Sequence, residues 1–261
     1  RPPRSTLDRS SAASDVYKRQ WLNMIDAIER SCDVYLYELA KRVGIKRIGE
    51  MAARFGFGEA FNFGLPGENR GLIPTPAWKR KTFGQAWHAG ETLITSIGQG
   101  FILCTPLQLA VMTSRLVNGG RPVLPRLVKN ERAEIQKRKS LQLSPQHLHT
   151  VLKGMDKVVN GSQGTARRVV DQNMKFQFGG KSGSVQVKRI SLDERESGKL
   201  KNKDRPWHER DHAMFVAFAP LKSPRYVVSV VVEHGGGGST MAAPIARDIL
   251  AEALRLNPSK L

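Results

Sequence analysis

Three stretches, Phe176 to Val187, Ala213 to Ala219 and Tyr226 to Glu233, are rich in Val and Phe and are separated by loops carrying Gly or Pro. Runs of that length and composition read as strands. Helical patterns precede them and one more, Ala242 to Leu256, follows, so the chain is of the α+β class, a sheet layered against helices. Spacing sets the helices. Ile25, Ile28, Cys32, Tyr35, Leu36 and Leu39 recur at helical intervals with Gly44 as the expected stop, and a second helix is expected from Ile48 to Phe55. Phe57 to Pro76 is a long loop rich in Gly, Pro and Asn. Thr105-Pro106 opens a helix that ends at Asn118-Gly119-Gly120, with Thr as cap and Pro in the first turn, and Ser144-Pro145 opens another through Val158.

A length of 261 residues allows one large domain or two small ones, and 40% apolar content is enough for an ordinary core. Residues 1–20 are polar, rich in Ser and Arg, and without any period. They read as a non-native or disordered leader, leaving residues 21–261 as the domain. The longest apolar runs have strand length, well short of the ~20 residues a membrane-spanning helix needs. The net charge of +19 attracts polyanions. Its two concentrations are Arg121 to Lys139, with seven basic and two acidic residues, and Lys188 to Arg210, with eight and five. Neither interleaves aromatics as a base-stacking surface does. They read as solvated loops, and no nucleic-acid partner is expected, although a basic binding module for nucleic acid or anionic polymer is the rival reading from another class.

The sharpest chemical signal is Gly179-Gly180-Lys181-Ser182-Gly183-Ser184-Val185-Gln186, placed on an expected strand. Lys181 with the hydroxyls of Ser182 and Ser184 can hold a carboxylate, and Gly183 lets another backbone approach. Upstream, Ser31-Cys32-Asp33 sets a hydroxyl beside a carboxylate at the head of a helical segment. Two cysteines, Cys32 and Cys104, cannot complete a zinc site. Cys32 is either a buried thiol or a ligand of a structural zinc whose partners come from elsewhere, and no other cofactor is expected. His208 and His212 flank a charged loop and read as loop residues.

Ser-x-Asp followed about 150 residues later by Lys-Ser-Gly resembles the serine transpeptidases and serine β-lactamases. The resemblance extends to Gly64-Leu65-Pro66-Gly67-Glu68, to Ser96-Ile97-Gly98-Gln99-Gly100 with Thr105-Pro106-Leu107-Gln108, to Phe215-Val216-Ala217-Phe218-Ala219-Pro220, and to Ala242-Ala243-Pro244-Ile245-Ala246. Within that family, Ser31-Cys32-Asp33, Trp78-Lys79 and the long insertion after Gln186 are similar to penicillin-binding protein 2 of the cell-elongation machinery. The resemblance implies a penicillin-recognising fold, a five-stranded antiparallel sheet flanked by helices, incomplete here at its N-terminal side. It also implies a serine-type D-Ala-D-Ala transpeptidase or carboxypeptidase activity. Ser31, Asp33 and Lys181 would be catalytic, and Ser182, Gly183, Ser184 and Gln186 would bind substrate. The implied partners are stem peptides ending in D-Ala-D-Ala, β-lactams, a membrane glycan polymerase and elongation scaffold proteins. The implied location is the periplasmic face of the inner membrane, by an anchor absent from this sequence. A β-lactamase or penicillin sensor of the same fold is the alternative. No Ser-x-x-Lys occurs in the 261 residues, so these residues alone are expected to be inactive.

Overall fold

A computed structural model describes residues 22–257 apart from 63, 65, 128–138, 172–173 and 189–201. The expected leader and much of both basic stretches lie outside the described residues.

The first helical pattern divides into two helices, α1 (Met24–Arg30) and α2 (Asp33–Phe55). Asn23 caps α1, its Oδ1 accepting the Asp26 N–H at 2.9 Å. The helix ends because Ser31 turns left-handed, φ 52° and ψ 54°, with its N–H turned back on the carbonyls of Ala27 and Ile28. Few non-glycine residues adopt this conformation. Gly44, expected as a stop, is instead a kink at φ 79° and ψ 155°. The apolar period resumes beyond it, and α2 continues to Gly56, where a second glycine at positive φ ends it.

Two short helices that the spacing did not reveal follow, α3 (Pro76–Phe83) and α4 (Ala89–Ser96). Thr75 caps α3 through the Trp78 N–H at 3.1 Å, the same Thr-Pro start that opens α5 (Pro106–Val117). In α5, Thr105 and Gln108 form a capping box. The Gln108 amide also donates to the carbonyls of Glu59 at 2.9 Å and Arg70 at 2.8 Å, fastening the 57–76 loop. The helix expected from Ser144 is α6 (Pro145–Asn160).

The three expected strands form as β1 (Gly179–Val185), β2 (His212–Ala219) and β3 (Tyr226–Val232), antiparallel in the order β1-β2-β3. Lys181 pairs with Val216, and Ser184 with Ala213. A π-helical turn, Gly238–Ala242, leads into α7 (Ala243–Leu256). Alternation along β2 sends Phe215, Ala217 and Ala219 into a core shared with Leu250 and Leu254 of α7 and Val158 of α6. Val216 and Phe218 face the other way, onto Leu109 and Leu116 of α5 and Met155 of α6. With helices on both faces, β2 is buried between them, and β1 is left at the sheet edge beside the α1–α2 corner.

Candidate active site

The left-handed turn at Ser31 breaks the helix and points its hydroxyl across to β1. There Lys181 Nζ donates to Ser31 Oγ at 2.5 Å and to the Ser182 carbonyl at 2.8 Å. Burial pushes the Lys181 ammonium down to about 8, while the charge of Asp33, at the start of α2, acts in the opposite direction. A lysine tuned in this way remains mostly charged at neutral pH yet can release its proton without strong base.

Around this pair lies a cavity of about 490 Å³, bordered by Ser31, Asp33, Lys181, Ser182, Gly183 and Ser184. The two sequence motifs, 150 residues apart, therefore face one space. Gln186 does not join them: it is exposed, one residue beyond the end of β1, and outside the cavity wall. Cys32 occupies the residue before α2 without a side-chain capping bond and is only 3% exposed. Among the described residues no group of three or more His, Cys, Asp and Glu is placed to hold a metal ion.

Within the chain's described residues, no backbone atom beyond residues 182–184 lies within 4 Å of where a Gly183 Cβ would be. A Cβ at 183 would meet only Met214 Cβ, at 3.6 Å. Beside it, a position that does need to lack a side chain is Gly238, where a Cβ would fall 2.2 Å from the Met214 carbonyl and 2.3 Å from the Gly183 carbonyl. The π turn can thus lie against β1, and the Gly238 N–H lies 3.4 Å from Ser184 Oγ.

Two further polar residues complete the wall. Thr165 Oγ1 lies 3.1 Å from Ser182 Oγ, and the Gln99 amide donates to the Ser184 carbonyl at 2.8 Å. Gln99 belongs to the Ser96-to-Gly100 motif, and the run Gly235 to Gly238 was a visible signal for the turn. Thr165 carried no signal. The assembled groups, one ammonium and two hydroxyls on an edge strand with those of Ser31 and Thr165 beside them, suit a carboxylate on an extended peptide that lies along β1.

The profile of the penicillin binding protein transpeptidase domain matches residues 7–251. The chain belongs to that family. Peptidoglycan D,D-transpeptidase MrdA of Haemophilus influenzae is 37% identical over 233 residues, 86% of this chain and 35% of the relative. MrdA of Salmonella typhimurium is 33% identical over 238 residues, 88% of this chain and 37% of the relative. This member of the penicillin-binding transpeptidases therefore spans about a third of the length of the curated relatives it matches. Penicillin-binding protein 2 of Pseudomonas aeruginosa, solved with WCK 5153, superposes with a TM-score of 0.75 at 38% identity, covering 90% of this chain and 49% of that one. The Helicobacter pylori penicillin-binding protein 2, solved in complex with MreC, gives 0.77 at 31%, covering 91% and 41%. The likeness to penicillin-binding protein 2 read from Ser31-Cys32-Asp33 and Trp78-Lys79 is borne out by these relatives.

Proposed function

We propose that this chain is one part of a transpeptidase that cross-links peptidoglycan stem peptides during cell elongation and is acylated by β-lactams. The observation that carries the reading is the Lys181 ammonium, held on an edge strand within hydrogen-bond distance of Ser31 and influenced by the charge of Asp33.

In this reading the peptide adds along the edge strand β1, displacing the Gln99 amide from the Ser184 carbonyl, and its terminal carboxylate meets Lys181 with the hydroxyls of Ser182 and Ser184. Ser31 passes a proton between the general base and the leaving amine. Asp33 stands where the family more often has Asn; a carboxylate accepts hydrogen bonds and attracts cations, which suits it to orienting a lysine rather than donating to substrate. The Ser184 N–H is one donor to the developing oxyanion. The attacking serine is absent from these 261 residues, so acyl transfer requires one from outside them. Asp33 is the one carboxylate among the described residues of the cavity wall, which leaves a hydrolytic, β-lactamase-like reading without a second carboxylate to serve as the base that activates water.

The Helicobacter pylori complex with MreC supports a scaffold protein as partner, and a glycan polymerase fits the same elongation role. No described helix is long and apolar enough to cross a membrane. Inner-membrane anchoring with this domain in the periplasm belongs to the proposal. Calorimetric titration with N-acetyl-D-alanyl-D-alanine at pH 7 tests the site: the chain should bind, and Lys181→Met should weaken binding at least about tenfold. A wild-type chain that ignores the dipeptide, or a Lys181→Met chain that binds equally well, sinks the reading.

A further inference from the structure

Glu29 lies in the last turn of α1, just ahead of Ser31, and is only 3% exposed. A buried carboxylate near a helix C-terminus faces both desolvation and an unfavourable helix dipole, so it persists only with partners. It finds them in the loop after α6. Its Oε1 accepts the Gln163 N–H at 3.0 Å, and its backbone carbonyl accepts the Thr165 N–H at 3.3 Å. Its Oε2 lies 3.4 Å from Lys157 Nζ, which also reaches Asp26 at 3.2 Å. The loop presses so closely that a Cβ at Gly161 would fall 2.4 Å from Glu29 Oε1.

The far end of that loop delivers Thr165 to Ser182. One carboxylate therefore ties together two parts of the cavity wall that come from separate elements, the corner carrying Ser31 and the loop carrying Thr165. A well-packed apolar side chain could supply comparable stability at such a site, so what the carboxylate adds is a fixed geometry. We infer that Glu29 is a positioning residue, holding Ser31 and Thr165 at the spacing that lets Lys181 and Ser182 receive a substrate carboxylate. This rests on the carboxylate-binding reading of the site.

The test is side-chain nitrogen NMR of lysine-labelled chain, with the Lys181 signal assigned by Lys181→Arg. Glu29→Asp keeps the charge but withdraws the carboxylate from the Gln163 N–H. The Lys181 titration should then move up by about one unit as water reaches the ammonium, and affinity for N-acetyl-D-alanyl-D-alanine should fall about tenfold. Glu29→Gln retains an oxygen for the Gln163 N–H and should restore affinity to within about threefold and the titration with it. A purely structural role would lower the melting temperature in both variants and leave the Lys181 titration in place. An unmoved titration in Glu29→Asp overturns the inference. If that variant does not fold, Thr165→Val decides instead, since it cuts the link to Ser182 and should give the same upward shift; no shift overturns the inference. Failure of the wild-type chain to bind the dipeptide would count against the functional reading, while the Lys181 titration would still decide the role of Glu29.

Discussion

In the helical region, residues 22–127, the buried side chains include Glu29, Lys79, Gln108, Thr113 and Arg115; in the sheet region, residues 139–257, the largest are Phe178, Phe215, Phe218 and Leu250. The first region is joined by directed contacts. Lys79 meets Glu91 at 2.5 Å, Thr113 donates to the Leu109 carbonyl at 2.8 Å, and Arg115 reaches the carbonyls of Arg54 at 3.1 Å and Val123 at 3.2 Å. It also keeps a cavity of about 530 Å³ lined largely by apolar side chains such as Leu36, Val43, Met51 and Met112. The second region is a dense apolar core on both faces of β2. Apolar packing tolerates changes of shape that preserve volume, whereas buried polar contacts tolerate little loss of a partner. The site lies at the seam, with Lys181 on a strand backed by the apolar core and Ser31 on a corner fixed by polar contacts.

This contrast can be broken by substitution. Phe215→Ala, at a position 1% exposed, should cost about 4 kcal/mol in a urea titration. A loss below about 1 kcal/mol would remove the claim that the sheet region is held by apolar packing. Gln108→Leu preserves bulk but leaves the Glu59 and Arg70 carbonyls without their donor, and should cost about 2 to 3 kcal/mol. A near-neutral result would mean that the helical region packs as the sheet region does.

The site itself gives a prediction in pH. The folded Lys181 value, about 8, lies below the ordinary 10.5, so from about 8 to 10.5 the unfolded chain binds more protons than the folded one. The contribution of this group to stability therefore rises with pH across that window. Carboxylate binding needs the ammonium, so affinity for the dipeptide should be flat below pH about 8 and fall about tenfold per unit above it. Affinity that persists to pH 10 would place the binding charge on another residue. The smallest effect is expected from Leu250→Met in the apolar core, under about 1.5 kcal/mol because volume is conserved; thermal unfolding resolves it.

The sheet was legible because strands with buried faces are written in Val and Phe: the expected ends of β2 and β3 fall within one residue of those formed. The helical region was harder to read for the reason that distinguishes it. Ser31 breaks α1 from α2 by a left-handed turn at a non-glycine residue, which no composition announces, while Gly44 looks like a stop but only kinks the helix. α3 and α4 span eight residues each, too few for a clear period, although Thr75-Pro76 carried the same start signal as Thr105-Pro106. In the site, Ser31, Asp33, Lys181, Ser182 and Ser184 were legible as motif residues. Gln99 stood in a motif, but its contact with the Ser184 carbonyl, 85 residues away, did not show in the spacing, and Thr165, which acts on Ser182, stood in no motif. Gly238 matters through a backbone contact that exists only once the π turn lies against β1.

The most direct test joins residues 22–261 behind the upstream part of the Haemophilus influenzae relative and exposes the chimera to a fluorescent penicillin. The account predicts a covalent label that survives a denaturing gel and is strongly reduced by Lys181→Met. A chimera that unfolds cooperatively on heating, and so is folded, yet takes no label would contradict it.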